Sequence, residues 1–337
     1  MTRLFRRLGI SLAALLLTSG LALAQQKVTI AIGGAACLCY LPTVLAKHLG
    51  EYEKAGVQVD MVDFKGGSQA LTAVLGGSAD VVSGYFDHCV NLAAKGQHMQ
   101  SFVVYDRYPG LVLVVSPKNT QTIKSVKDLA GKKIGVSAPG SSTHFFVNYL
   151  LKKNGVDASG VGFIGIGLGA TAVAAMEQGS VDAAVMLDPA VTQMKARNKD
   201  LRILSDTRTQ KDTIDVFGGE YPGGALYTRA DWIEKNPKAA QALTVAILNT
   251  LKWIHSHKPE EIMAKMPDEL IGADKALYLE ALKNTIPMYS QTGKMDPKGA
   301  KAVHDVFSQS SPDVAKANID LSKTYTNKFV EAASKGM

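Results

Sequence analysis

The regular alternation of strand-length apolar runs with helix-length segments constrains this chain more than any other feature. Val28-Thr29-Ile30-Ala31-Ile32 ends at Gly33-Gly34, a helix is expected over about residues 42–55, and residues 57–64 form a second strand ending at Gly66-Gly67. Ser68 then opens a helix, residues 80–84 make a third strand, and a helix near residues 88–95 follows. Parallel strands need crossover connections, which helices supply, so this order predicts a mostly parallel sheet covered on both faces. Strands at 100–105 and 111–116 complete the first unit.

The pattern then restarts. A short capped helix at 125–129 leads to a strand at 134–136, and Pro139-Gly140-Ser141-Ser142 turns the chain into a helix over 143–154. Strands at 161–166, 182–186 and 201–204 alternate with helices at 169–178 and 189–197. At Tyr221-Pro222-Gly223-Gly224 the composition becomes loop-like, residues 225–228 read as a returning strand, and residues 230–335 are almost wholly helical. The expected architecture is α/β: two doubly wound lobes joined by a two-strand hinge. Lobe 1 takes residues 25–117 and 220–337, and lobe 2 is an insertion of 118–219, with crossings near Ser116-Pro117 and 219–224. Ligand clefts in open parallel sheets lie beyond the carboxyl ends of the strands, so the loops after each strand are where chemistry is expected.

Residues 1–24 read as a cleavable signal peptide. Arg3, Arg6 and Arg7 precede an apolar run at 8–17 that ends at Ala22-Leu23-Ala24, too short to span a bilayer and followed by the small residues a signal peptidase requires. Gln25 is the expected mature start, and no cysteine lies near it to carry a lipid. Cleavage removes three arginines and no acids, so the formal charge falls from +7 to +4. The basic residues are scattered among acids and no aromatic-rich basic module is present, which argues against nucleic-acid binding. Export to an oxidising compartment gives the three cysteines meaning. Cys37 and Cys39 are expected to be poorly placed to bond each other across one residue; either would reach Cys89 if strands one and three are neighbours, and three buried free thiols are the alternative. No second closely spaced Cys or His pair completes a zinc site, and no cofactor is expected.

Three loops carry the candidate chemistry. Ser141, Ser142 and Thr143 stand at a helix start, where amides lack partners and the dipole is positive, so an anion fits there; plain helix capping is the competing role. Gly165-Ile166-Gly167-Leu168-Gly169-Ala170-Thr171 lacks the dinucleotide spacing, and no Gly-Lys-Ser/Thr follows the glycines at 135 and 140. Asp87 and His88 follow strand three beside Tyr85, but no nucleophile accompanies them at a recognisable elbow, so a polar contact to ligand or to the facing lobe is the expectation. Tyr40, Tyr85, Tyr105, Tyr108 and Tyr221 fall in or beside the cleft loops, where rings exclude water and hydroxyls hydrogen-bond. Arg107 is a candidate counter-charge.

The run at 131–151, the stretch Ala172-Val173-Ala174-Ala175-Met176-Glu177-Gln178-Gly179-Ser180-Val181-Asp182-Ala183-Ala184, and Gly67-Ser68-Gln69-Ala70-Leu71 with Gly77-Ser78-Ala79-Asp80-Val81 resemble the nitrate/sulfonate/taurine class of ABC-transporter substrate-binding proteins, which includes thiamine-pyrimidine binders. The likeness runs through Tyr325-Thr326-Asn327-Lys328-Phe329. It implies a type II periplasmic-binding fold and a non-enzymatic, monomeric receptor in the periplasm. That receptor would deliver a small, sulfonate- or carboxylate-like solute to an inner-membrane ABC permease. It also implies ligand contacts from Cys39 and Tyr40, from Gly67 and Ser68, from Tyr85, Asp87 and His88, from Ser141, Ser142 and Thr143, and from Asp188 before Pro189. Cys37-Leu38-Cys39-Tyr40 departs from the class and loosely resembles the cysteine-rich loop of thiamine-pyrimidine synthases, so an enzyme using the same cleft is the alternative. A protein that presents ligand to a membrane sensor is a third reading.

Overall fold

The computed structural model describes residues 26–335, so the expected leader at 1–24 lies outside the described residues. Among the described residues ten strands form two five-stranded sheets. The first contains β1 (Gln26–Ile32), β2 (Val57–Asp63), β3 (Val81–Tyr85), β4 (Met99–Val104) and β10 (Gly224–Arg229), in the order β2-β1-β3-β10-β4. The second contains β5 (Val112–Val115), β6 (Lys133–Val136), β7 (Gly162–Gly165), β8 (Ala183–Met186) and β9 (Ile203–Asp206), in the order β7-β6-β8-β5-β9. The central strands β3, β5 and β8 are buried along their whole length, as their unbroken apolar runs require when helices cover both faces.

The two lobes share one design. β1 runs parallel to β2 and β3, and β6 runs parallel to β7 and β8, while β10 and β5 lie antiparallel to their neighbours. The antiparallel strand in each sheet is the one that enters from the other lobe. This corrects the sequence reading at one point: the strand expected to close the first unit belongs to the second sheet, pairing Val112 with Met186 and Asp206. The first crossing therefore lies between Val104 and Val112, ahead of Ser116-Pro117. Spacing alone cannot tell an apolar strand that ends one sheet from one that begins the next. The return falls between β9 and β10.

Parallel pairing of Ile30 with Val81 and of Val136 with Gly165 brings the carboxyl ends of β1, β3, β6 and β7 to the edge of each sheet that faces the other lobe. Three helices start there: α1 (Leu41–His48), α2 (Gly67–Leu75) and α3 (Asp87–Ala93) in lobe 1. In lobe 2 the corresponding helices are α4 (Ser142–Lys153), α5 (Ala170–Gln178) and α6 (Ala190–Arg197), with α7 (Gln210–Phe217) following β9. The single helix expected over 42–55 is broken at Gly50, whose φ of +69° favours glycine, and resumes as a short turn. Beyond β10 the chain is helical. α8 (Pro237–Ser256) packs on α1, while α9 (Lys275–Thr285) and α10 (Pro297–Ser310) reach across to α6 and α4 of lobe 2. Among the described residues no helix is long and apolar enough to cross a membrane.

Candidate functional site

Two helix starts meet between the lobes. β2 ends at Asp63 and the chain passes Gly66 into α2; β6 ends at Val136 and the chain turns through Gly140, at φ +82°, into α4. The Ser68 amide donates to Ser141 Oγ (3.0 Å), Ser141 Oγ donates to Ser68 Oγ (3.0 Å), and Ser68 Oγ donates to the Pro139 carbonyl (3.0 Å). This approach needs a residue without a side chain at position 66, since a Cβ there would lie 2.9 Å from both Ser137 Oγ and Ser141 Oγ. Ser141 occupies the cap position of α4 but its side chain makes no capping bond; its hydrogen bonds go to the other lobe instead.

A small cavity, about 20 Å³ and partly open to the surface, lies against these helix starts. Of the residues expected to contact ligand, Cys39, Tyr40, Gly67, Tyr85, Ser141, Ser142 and Thr143 line it; Leu111, Ser137, Leu168 and Leu187 line it unforeseen. Ser137 and Leu187 directly follow β6 and β8, so the rule that sites lie beyond strand ends would have found them. Among the described residues no lysine or arginine lines this cavity. Arg107, the candidate counter-charge, is hydrogen-bonded to Gln210 and borders a different, open groove.

Asp87 and His88 lie behind the cavity wall, each about 1 % exposed. Asp87 Oδ1 accepts from Ser142 Oγ of the other lobe (2.7 Å), and Oδ2 accepts from the Tyr221 hydroxyl (3.3 Å). Burial, opposed by these donors, pushes its carboxyl up to about 7. His88 stacks on Tyr227 and is tilted against Phe145; its Nε2 has no partner among the described residues and faces Gly67, where a Cβ would lie 3.1 Å away. Desolvation pulls the imidazole down to about 4, so it is neutral. The two side chains do not form an acid–base pair.

The cysteines correct the sequence reading a second time. Strands β1 and β3 are neighbours as expected, but Cys37 bonds Cys39 and Cys89 is free and buried. A 3-10 turn over Leu38–Tyr40 brings the two Cα atoms to 5.1 Å, within bridging range, whereas Cys89 lies on α3 facing Ser101 of β4. The bridged turn sits at the lobe boundary: the Leu38 amide donates to the Asp188 carbonyl (2.9 Å), and the Leu38 carbonyl accepts from the Tyr289 hydroxyl (2.7 Å). Asp188 turns its carboxylate away from the first cavity. Oδ1 accepts from Thr192 N and Oγ1 (3.0 and 2.7 Å) and Oδ2 from Arg208 (3.3 Å), beside a second small cavity that also touches Cys39 and Leu187.

The family model described as NMT1/THI5 like matches residues 40–262. A curated relative, the nitrate/nitrite binding protein NrtA of Nostoc sp., is 26% identical over 177 residues, covering 52% of this chain and 38% of that protein. The chain spans about a third of the length of the curated relatives it matches. A solved protein of Bordetella bronchiseptica RB50 is 42% identical with a TM-score of 0.89, covering 93% of this chain and 98% of that one. The alkanesulfonate-binding protein SsuA of Xanthomonas axonopodis pv. citri, solved bound to MOPS, has a TM-score of 0.69 at 19% identity, covering 89% and 98%, and shares the periplasmic-binding fold. With a matched stretch that runs from the bridged turn in lobe 1 through all of lobe 2 and back, this chain belongs to the NMT1/THI5-like family.

Proposed function

We propose that the chain is the solute-capturing component of an ABC importer, holding a small carboxylate- or sulfonate-like anion between its lobes for an inner-membrane permease. One observation carries this: the starts of α2 and α4, from different lobes, converge on one small cavity. The amides of Gly67, Ser142 and Thr143 have no partner among the described residues, and each helix start carries roughly half a positive charge, so an anion gains there without a cationic side chain. The names of the relatives, nitrate/nitrite binding and alkanesulfonate-binding, favour the same ligand chemistry. The chain acts as a monomer in the periplasm once the leader is removed.

The enzyme reading has less support. His88 is neutral and unpaired with Asp87, Cys39 is bridged, and among the described residues no group of three or more His, Cys, Asp or Glu is gathered to hold a metal. Mass spectrometry of small molecules released by denaturing purified protein tests the proposal. A single small acid at near-equimolar amount is expected, and a cationic or purely apolar ligand would overturn it.

A further inference from the structure

We propose that the cavity selects a small acid with a hydrogen-bond donor beside its anionic group, an α-hydroxy carboxylate in type, and that Asp87 sets this preference by fixing the proton of Ser142. The inference rests on the reading that the cavity takes an anion, and it follows from counting protons. A hydroxyl has one to donate. Ser142 gives its proton to Asp87 Oδ1 (2.7 Å), Ser141 to Ser68 Oγ (3.0 Å), and Tyr85 to the Pro109 carbonyl (2.5 Å). Three of the oxygens lining the cavity therefore meet a ligand as lone pairs only.

The donors left for the ligand sit elsewhere on the wall, and one is a hydroxyl of the Ser137–Thr143 pair, whose two hydroxyls share a single hydrogen bond (2.9 Å). Of the first-turn amides of α4, that of His144 donates to the Ser141 carbonyl (2.8 Å) while those of Ser142 and Thr143 have no partner among the described residues, nor has the Tyr40 hydroxyl, on a residue only 4 % exposed. A ligand with acceptors alone satisfies the helix starts and leaves the serine and tyrosine lone pairs facing its own oxygens. One that adds a hydroxyl satisfies both sides. Asp87 is the determinant because both its oxygens are already accepting, one from lobe 2 and one from Tyr221 on the return segment, which locks the Ser142 hydroxyl.

Calorimetric titration of the full chain with glycolate, acetate, methanesulfonate and nitrate tests this at pH 8, where the Asp87 carboxyl, pushed up to about 7, is ionised. Glycolate is expected to bind at least tenfold more tightly than acetate, with methanesulfonate and nitrate no better than acetate, because a buried acceptor left without its donor is costly. Asp87→Ala frees the Ser142 proton and should bring the glycolate-to-acetate ratio near one, and Asp87→Asn, whose carbonyl still accepts, should restore the preference. Should Asp87→Ala fail to fold, Ser142→Ala removes the same lone pair and must collapse the ratio as well. Equal affinity for glycolate and acetate in the unaltered chain, or a ratio unchanged by these substitutions, overturns the inference and leaves the anion reading standing. Absence of binding by all four probes overturns the anion reading itself.

Discussion

Burial moves the proton affinities of Asp87 and His88, neighbours in sequence, in opposite directions, up to about 7 and down to about 4. The signs determine what pH does to stability. Asp87 binds its proton more tightly folded than unfolded, so its contribution is complete below the ordinary carboxylate range near 4 and is lost as pH rises through about 7. His88 releases its proton more readily when folded, so its contribution is complete above about 6.5 and is lost as pH falls toward 4. At most these amount to about 4 kcal/mol for Asp87 and about 3 kcal/mol for His88. Between these limits the two slopes oppose, and the unaltered protein shows less pH dependence than either residue. Asp87→Asn removes one slope. Thermal unfolding of that variant should show stability falling as pH drops from 6.5 to 4, more steeply than in the unaltered chain; parallel curves would count against the assignment. A second prediction concerns thiols: in denaturant without reductant one cysteine, Cys89, should be alkylated, and after reduction three. Three reactive thiols before reduction would remove the Cys37–Cys39 bridge.

The elements were more legible in the sequence than the contacts between them. Turn chemistry and apolar run length placed α2, α4, β6 and β8 to within a residue or two, because Gly66-Gly67 and Pro139-Gly140 fix where strands stop. The helix starts at Ser68 and at Ser141 to Thr143 were likewise visible as candidate anion sites. What the sequence did not show is that the serines bond each other across the lobes, since residues 73 positions apart carry no local pattern. Strand membership of β5 and the Cys37–Cys39 pairing were missed for the same reason: each is decided by which sheet or turn a segment joins. The closeness of α2 to α4 gives a further prediction. Gly66 has an extended backbone, φ −170° and ψ 165°, that any residue adopts, so Gly66→Val adds no backbone strain. Its side chain would nevertheless collide with Ser137 and Ser141 in the closed arrangement. Ligand affinity should fall more than tenfold while the melting temperature of the free protein changes by only a degree or two. A variant with undiminished affinity would show that the two helix starts need not meet.

At the scale of the whole molecule, two chain crossings join the lobes, one between β4 and β5 and one between β9 and β10, and each feeds an antiparallel strand into the middle of the sheet it enters. The crossings are thus anchored at both ends, which leaves rotation about them as the low-cost motion between lobes. Opposing that rotation are the Ser68–Ser141, Ser142–Asp87 and Leu38–Asp188 hydrogen bonds, each worth about 1 kcal/mol net, and the edge-to-face contact of Phe145 on α4 with Phe307 on α10, 4.8 Å between centroids. These direct bonds are few and water replaces them readily on opening, so a ligand that touches α2 and α4 together is what shifts the balance. Binding should therefore compact the protein. Solution scattering with the solute identified by mass spectrometry should show a smaller radius of gyration at saturation than in protein stripped of it. Phe307→Ala, which removes an inter-lobe ring without touching the cavity, should weaken binding several-fold and leave the compact saturated dimensions unchanged. A radius of gyration that stays constant on saturation would mean that the lobes do not move, and would return the cleft to the enzyme reading, where a fixed and open site suffices.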